Sequence, residues 1–194
     1  MAENAGTEFT KARASTQKPG PNDRRIEEMI RVDHAGEYGA VQIYKGQRAV
    51  FDALPHKANT SALLKEMEDG EQHHLATFDK LIAERGGRPT IFSPIWNAAG
   101  FALGAGTALM GEKAAMACTA AVEDVIEKHY AKQAEELDAA GDPLAETVRQ
   151  FRDDELEHKH TAEEMGAEEA PGYRVLKSVI QAGCHVAIRL SEKI

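Results

Sequence analysis

Two Glu-x-x-His pairs limit what this chain can fold into more than any other feature: Glu71 with His74 in "EQHH", and Glu155 with His158 in "ELEH". Residues three apart are neighbours on a helix, so each pair sets a carboxylate and an imidazole on one face. With 22 Glu and 8 His in the chain, roughly one such pair arises by chance, and a third, Glu157 with His160, is present. Position separates them, because Glu157 is rotated roughly 200° from Glu155 and faces the other side of the helix. Each of the remaining pairs follows a glutamate at a similar distance. Glu37 lies 34 residues before Glu71, and Glu123 lies 32 residues before Glu155. Tyr44 and Tyr130 follow those glutamates by seven residues, two turns further along the same face. The chain reads as a duplicated helical hairpin with a repeat of 84 to 86 residues.

Helical signals dominate and no strand pattern emerges. Asn22 and Asp23 are placed to cap a helix over about 24–52, ended by Pro55; Thr60 or Ser61 is placed to cap a second, ended by Gly86 and Gly87. A third runs from about Glu112 to Ala140 and stops at Gly141, while Asp142 and Pro143 supply the cap and first position of a fourth, to about Met165. Between Arg88 and Glu112 lie 23 uncharged residues, diluted by Pro94, Asn97 and four glycines. Such a segment suits close packing or a membrane-dipping position better than a span. From about Pro171, Val175, Val179, Val186 and Leu190 lie on a wide apolar stripe edged by Lys177, Arg189 and Lys193. The expected class is all-α: a four-helix bundle with two additional apolar, membrane-associating helices. One domain is expected over 24–194. Residues 1–23, polar and carrying Pro19, Gly20 and Pro21, read as a disordered N-terminal tail without the apolar run of a signal peptide.

A net charge of −9 sets nucleic acid aside as a partner. Cys118 and Cys184 form no CxxC pair, which argues against a disulfide framework or zinc ribbon and fits a reducing compartment. The sequence lacks a Gly-rich dinucleotide fingerprint, so a Rossmann domain is not indicated.

Four glutamates facing one another inside a bundle repel, lose hydration and are driven toward protonation unless something compensates. Two divalent cations balance four carboxylates. One Glu from each of two helices and a Glu-x-x-His pair from each of the other two is the arrangement of ferritin-like di-iron and di-manganese proteins. Oxygen ligands with one imidazole per metal suit iron(II) or manganese(II). The expected assignment has Glu71 and Glu155 bridging, Glu37 and Glu123 terminal, and nitrogen from His74 and His158. Asp154 is a candidate to hydrogen-bond a ligating imidazole, His74 across the bundle being the favoured target. Tyr130 beside His129 is a candidate relay of protons or electrons, although an aromatic at core spacing is more often packing. His34, His73 and His160 have no counterpart in the other half and read as surface or packing.

The stretches "IRVDHAGEYGAVQIYKGQ" (30–47), "GAGTALMGEKAAMACTAAVED" (104–124), "FRDDELEHKH" (151–160) and "LKSVIQAGCHVAIRLSEKI" (176–194) resemble the demethoxyubiquinone hydroxylases of ubiquinone biosynthesis. The resemblance covers about 24–194. It implies a membrane-associated ferritin-like oxidoreductase, a monooxygenase whose two iron ions per chain use O2 to hydroxylate the ring of a quinone or quinol lipid. Glu37, Glu71, His74, Glu123, Glu155 and His158 stand where that family has its ligands, and Asp124 departs from the second Glu expected there. Partner proteins of ubiquinone biosynthesis are implied as well. The absence of a transit-peptide pattern fits a bacterial member, peripheral on the cytoplasmic face of the inner membrane. A ferritin-like ferroxidase or a rubrerythrin-like peroxidase would use the same ligands and is the alternative; the first needs no apolar insertions, and the cysteines of the second's usual electron-transfer domain are missing.

Overall fold

The computed structural model describes residues 21–194, in six α-helices with no strand among them. They are α1 (Pro21–Phe51), α2 (Ala58–Arg85), α3 (Ser93–Leu109), α4 (Glu112–Ala140), α5 (Leu144–Glu164) and α6 (Tyr173–Lys193), with short 3-10 turns at Pro55–Lys57 and Ala167–Glu169. The disordered-tail reading falls on residues outside those described, except that 21–23 belong to α1.

Several helix ends differ from expectation. Asn22 and Asp23 lie within α1 rather than before it. Thr60 and Ser61 do not cap α2: it starts at Ala58, on the turn opened by Pro55, and both hydroxyls are buried, donating to Glu112 and Asp52. A hydroxyl can serve a carboxylate on another element as readily as a helix end, and only packing selects between them. The stops follow their chemistry. Gly86 and Gly141 both take the left-handed conformation that favours glycine, φ 71° and 69°. Asp142 Oδ1 accepts from Leu144 N–H at 2.9 Å, opening α5.

α1 pairs with α2 and α4 with α5, forming two hairpins that face each other. Two apolar clusters fill the bundle. One joins Ile30 of α1, Phe78 of α2, Leu137 of α4 and Phe151 of α5; the other joins Phe51, Leu64, Met116 and Ala162 of the same helices. On every helix the glutamates and histidines lie between the residues given to the two clusters, so the acidic layer is closed above and below by hydrocarbon. The order of cluster residues also makes α1 antiparallel to α4 and α2 antiparallel to α5, as a pseudo-twofold relation between hairpins requires.

The remaining helices flank this bundle. α3 lies along α1 and α6 lies across α4 and α1. α3 approaches closely because glycines face backbone: a Cβ at Gly100 would come 2.8 Å from the Gly39 carbonyl, and one at Gly104 would collide with the Ile43 carbonyl. No described helix is long and apolar enough to cross a membrane.

Candidate metal centre

All four glutamates and His74 are buried: Glu37, Glu71 and Glu155 are 0 % exposed, Glu123 1 % and His74 2 %. They come from four helices, Glu37 from α1, Glu71 and His74 from α2, Glu123 from α4, Glu155 and His158 from α5. Glu37, Glu71, His74 and Glu155 form one group whose ligand atoms lie within 4.8 Å of one another; Glu71, Glu123, Glu155 and His158 form a second. Glu71 and Glu155 belong to both, as bridging residues must. His74 Nδ1 lies 3.3 Å from Glu155, 3.6 Å from Glu37 and 3.7 Å from Glu71, and His158 Nδ1 lies 3.0 Å from Glu71.

Hydrogen bonds orient the carboxylates from outside. Tyr44 OH donates to Glu123 Oε1 at 2.7 Å, and Tyr130 OH donates to Glu37 Oε1. The pairing is crosswise, each tyrosine serving the glutamate of the opposite hairpin. Asp154 Oδ2 sits 3.0 Å from His74 Nε2, and Phe151 stacks on that ring with centroids 3.9 Å apart. Glu37 Oε2, Glu71 Oε2, Glu123 Oε2, both Glu155 oxygens and His74 Nδ1 have no hydrogen-bond partner among the described residues. Leaving even one such group unsatisfied costs about 1–3 kcal/mol, more when charged. Six of them converging on one space fit a pair of divalent cations.

The electrostatics agree. Burial, and then the neighbouring Glu71 charge, raise Glu123 to about 7. Burial holds Glu37 and Glu155 well above the ordinary carboxylate range. Glu71 is opposed by the same burial, but the hydrogen bond with His158 and the nearby His74 imidazole keep it below that range. Burial disfavours charge on His74 and His158, and the surrounding carboxylates outweigh it, raising both. Without cations, the cluster accommodates its charge by protonating.

The structure does not bring every candidate to this centre. Tyr130 reaches Glu37, whereas His129 Nε2 lies 3.3 Å from Asp33 and 2.9 Å from Gln133 Nε2 and contacts none of the four glutamates among the described residues. His73 and His160 are exposed, and His34 is buried against Asp79. Sequence reading missed two buried amides: Gln133 donates to Asp33 at 2.9 Å, and Gln47 donates to Thr119 at 3.3 Å and to the Ala115 carbonyl at 3.0 Å. The repeat itself carried the signal, since Gln47 and Gln133 stand 86 residues apart, as do Asp33 and Thr119. It also missed an apolar cavity of about 380 Å³ lined from α1, α3, α4 and α6, among others by Gly36, Leu103, Val122, Ile180 and Gly183. Gly36 and Val122 adjoin Glu37 and Glu123 in the chain, while none of the six cluster residues lines the cavity itself.

Residues 24–191 match the family described as "Ubiquinone biosynthesis protein COQ7". The chain is 50% identical over 169 residues to the 3-demethoxyubiquinol 3-hydroxylase of Rhodospirillum rubrum, covering 87% of this chain and 78% of that protein. It is 48% identical over 176 residues to the mitochondrial NADPH-dependent 3-demethoxyubiquinone 3-hydroxylase of Rattus norvegicus, covering 89% and 79%. It is 43% identical over 185 residues to the mitochondrial 5-demethoxyubiquinone hydroxylase of Saccharomyces cerevisiae, covering 87% and 78%.

Proposed function

The chain belongs to the family described as ubiquinone biosynthesis protein COQ7, and from that premise we propose that it hydroxylates the ring of a demethoxyubiquinone or demethoxyubiquinol, using O2 and two iron ions held between its hairpins. The observation that carries this reading is the pairing of a buried Glu/His cluster with an apolar cavity whose lining includes Gly36 and Val122, the chain neighbours of Glu37 and Glu123. When bound, the iron pair activates O2 for insertion of one oxygen atom into a ring C–H bond.

The chain's own residues supply position, insulation and access. Glu37, Glu71, His74, Glu123, Glu155 and His158 would hold the ions, the histidines supplying nitrogen and the glutamates oxygen. Tyr44 and Tyr130 hold Glu123 and Glu37 by one oxygen each and leave the other buried without a partner. Burial, with the carboxylates beside them, raises both phenols well above their ordinary range, so they stay donors at neutral pH. Tyr130 touches Glu37 directly, so a proton relay would begin there; His129 meets Asp33 and Gln133 instead.

The cavity is of ligand size and almost wholly apolar, suited to a quinone ring and the start of its prenyl tail. Gly36, Gly39 and Gly183 make the room, since a Cβ at any of them would meet nothing within 4 Å. A ferroxidase or peroxidase needs the same ligands but has no use for such a cavity.

The rest of the tail has to leave the cavity for a bilayer, and the outer faces of α3 and α6 are apolar: Val175 is 70 % exposed, Val186 55 %, Leu109 76 % and Ile95 55 %. Peripheral attachment through these two helices, with no span, supplies the lipid substrate in two dimensions. Relatives' names differ over two electrons. The Rhodospirillum protein is named for a quinol, which brings them itself, and the rat protein for NADPH with a quinone.

The test is anaerobic reconstitution of the full chain with iron(II), then O2 and a demethoxyquinol analogue, with mass analysis of the product. A gain of one oxygen atom is expected. Gly183→Leu, which fills the cavity, keeps its iron and loses turnover. A fully loaded, reduced centre that leaves the quinol unchanged would overturn the assignment.

A further inference from the structure

The duplication matches the four glutamates, two histidines and two tyrosines of the centre between the halves, and a neighbouring position differs. Asp154 precedes Glu155, but Gly70 precedes Glu71. Asp154 reaches across the bundle to His74 Nε2 at 3.0 Å. Gly70 stands in the corresponding place beside His158, where a Cβ would lie 3.4 Å from the ring's Cε1 and 3.5 Å from its Nε2. A side chain there would meet His158 as Asp154 meets His74, and glycine brings none. Among the described residues, the carboxylates within 4.0 Å of His158 are Glu71 and Glu155, both at Nδ1. The rest of the surroundings does not compensate. The tyrosine contacts are matched between halves, whereas Phe151 stacks on His74 at 3.9 Å and the nearest ring to His158, Tyr44, meets it edge-on at 6.3 Å. The His74 side chain is 2 % exposed and that of His158 15 %.

We propose that the two metal positions are inequivalent: the one formed by Glu37, Glu71, His74 and Glu155 binds its divalent ion more tightly than the one formed by Glu71, Glu123, Glu155 and His158, with Asp154 as the positioning residue. This rests on the di-metal reading given above. A ligating imidazole that donates its other N–H to a carboxylate is held in one orientation and is a stronger base, and losing that partner commonly costs 10–100-fold in affinity. His158 lacks this support, so its ion enters last and leaves first.

Anaerobic titration of the metal-free full chain with Mn(II), followed by calorimetry and electron paramagnetic resonance, reads the difference without catalysis. The first equivalent gives an isolated-ion spectrum and the second converts it to a coupled pair, with dissociation constants at least about 10-fold apart. Asp154→Asn, conservative at a side chain 43 % exposed, weakens the tighter constant by about 10–100-fold and leaves the weaker one in place. Gly70→Asp tightens the weaker constant, and Gly70→Ala, which adds the Cβ without the carboxylate, does not. A coupled-pair spectrum from the first additions overturns the inequivalence, and constants unmoved by Asp154→Asn overturn the role of Asp154, in both cases with the di-metal reading intact. A chain that binds no Mn(II) overturns the di-metal reading and this inference with it.

Discussion

At Glu155 both carboxylate oxygens are buried and neither accepts a hydrogen bond, whereas Glu157, two residues on, is exposed. That contrast sets the first mutational expectation. Glu155→Ala or His158→Ala loses bound metal and turnover together, by metal analysis and product assay. Glu157→Ala and His160→Ala keep both and shift stability by no more than about 0.5 kcal/mol. The pH dependence follows from the same groups. Burial and the Glu71 charge place Glu123 at about 7 in the metal-free fold, above its ordinary value near 4.5. Between those values the folded state keeps a proton that the unfolded chain has released, so stability is present at low pH and declines as pH rises. Glu37 and Glu155, raised by burial, act in the same direction, as do His74 and His158, raised by their carboxylates. Glu71, held low, opposes them only below its ordinary range. Calorimetry of the metal-free chain should show Tm falling from pH 5 to 8. Metal loading displaces those protons, so the gap between loaded and metal-free Tm widens over the same range. A metal-free Tm that rises through this window would contradict the assignment of the cluster as compressed anionic charge.

Among the elements, α3 depends most on residues too small to show in a hydropathy pattern. Its glycines register in the sequence only as dilution of an uncharged run, and the structure turns Gly100 and Gly104 into the contact with the backbone of α1. Gly104→Ala forces a Cβ against the Ile43 carbonyl and should cost about 1–3 kcal/mol in urea unfolding. Gly106→Ala, two residues on with nothing within 4 Å, should be neutral or stabilise by up to about 1 kcal/mol. Equal effects at the two positions would remove the close-approach account. Helix stops were legible because Gly86 and Gly141 answer a local backbone demand. Starts were less so, because Thr60 and Ser61 found carboxylates on other elements.

At the scale of the whole molecule, apolar residues on the outer faces of α3 and α6 have no partner in the bundle, and the cavity lies beneath them. Vesicle flotation tests the membrane reading. Val175→Asp combined with Val186→Asp, on one face of α6 eleven residues apart, should abolish flotation while leaving iron content unchanged; a double variant that floats like the wild type would overturn it. The six clustered glutamates and histidines and the all-α class could be named from the sequence because a helix converts spacing directly into a shared face, and because duplication wrote the pattern twice. Which oxygens turn inward, the crosswise service of Tyr44 and Tyr130, the cavity and the unequal support of His74 and His158 were decided only by tertiary structure. The physical reason is that each depends on how side chains far apart in the chain meet across a packed bundle, and no local periodicity records the register or distance of that meeting.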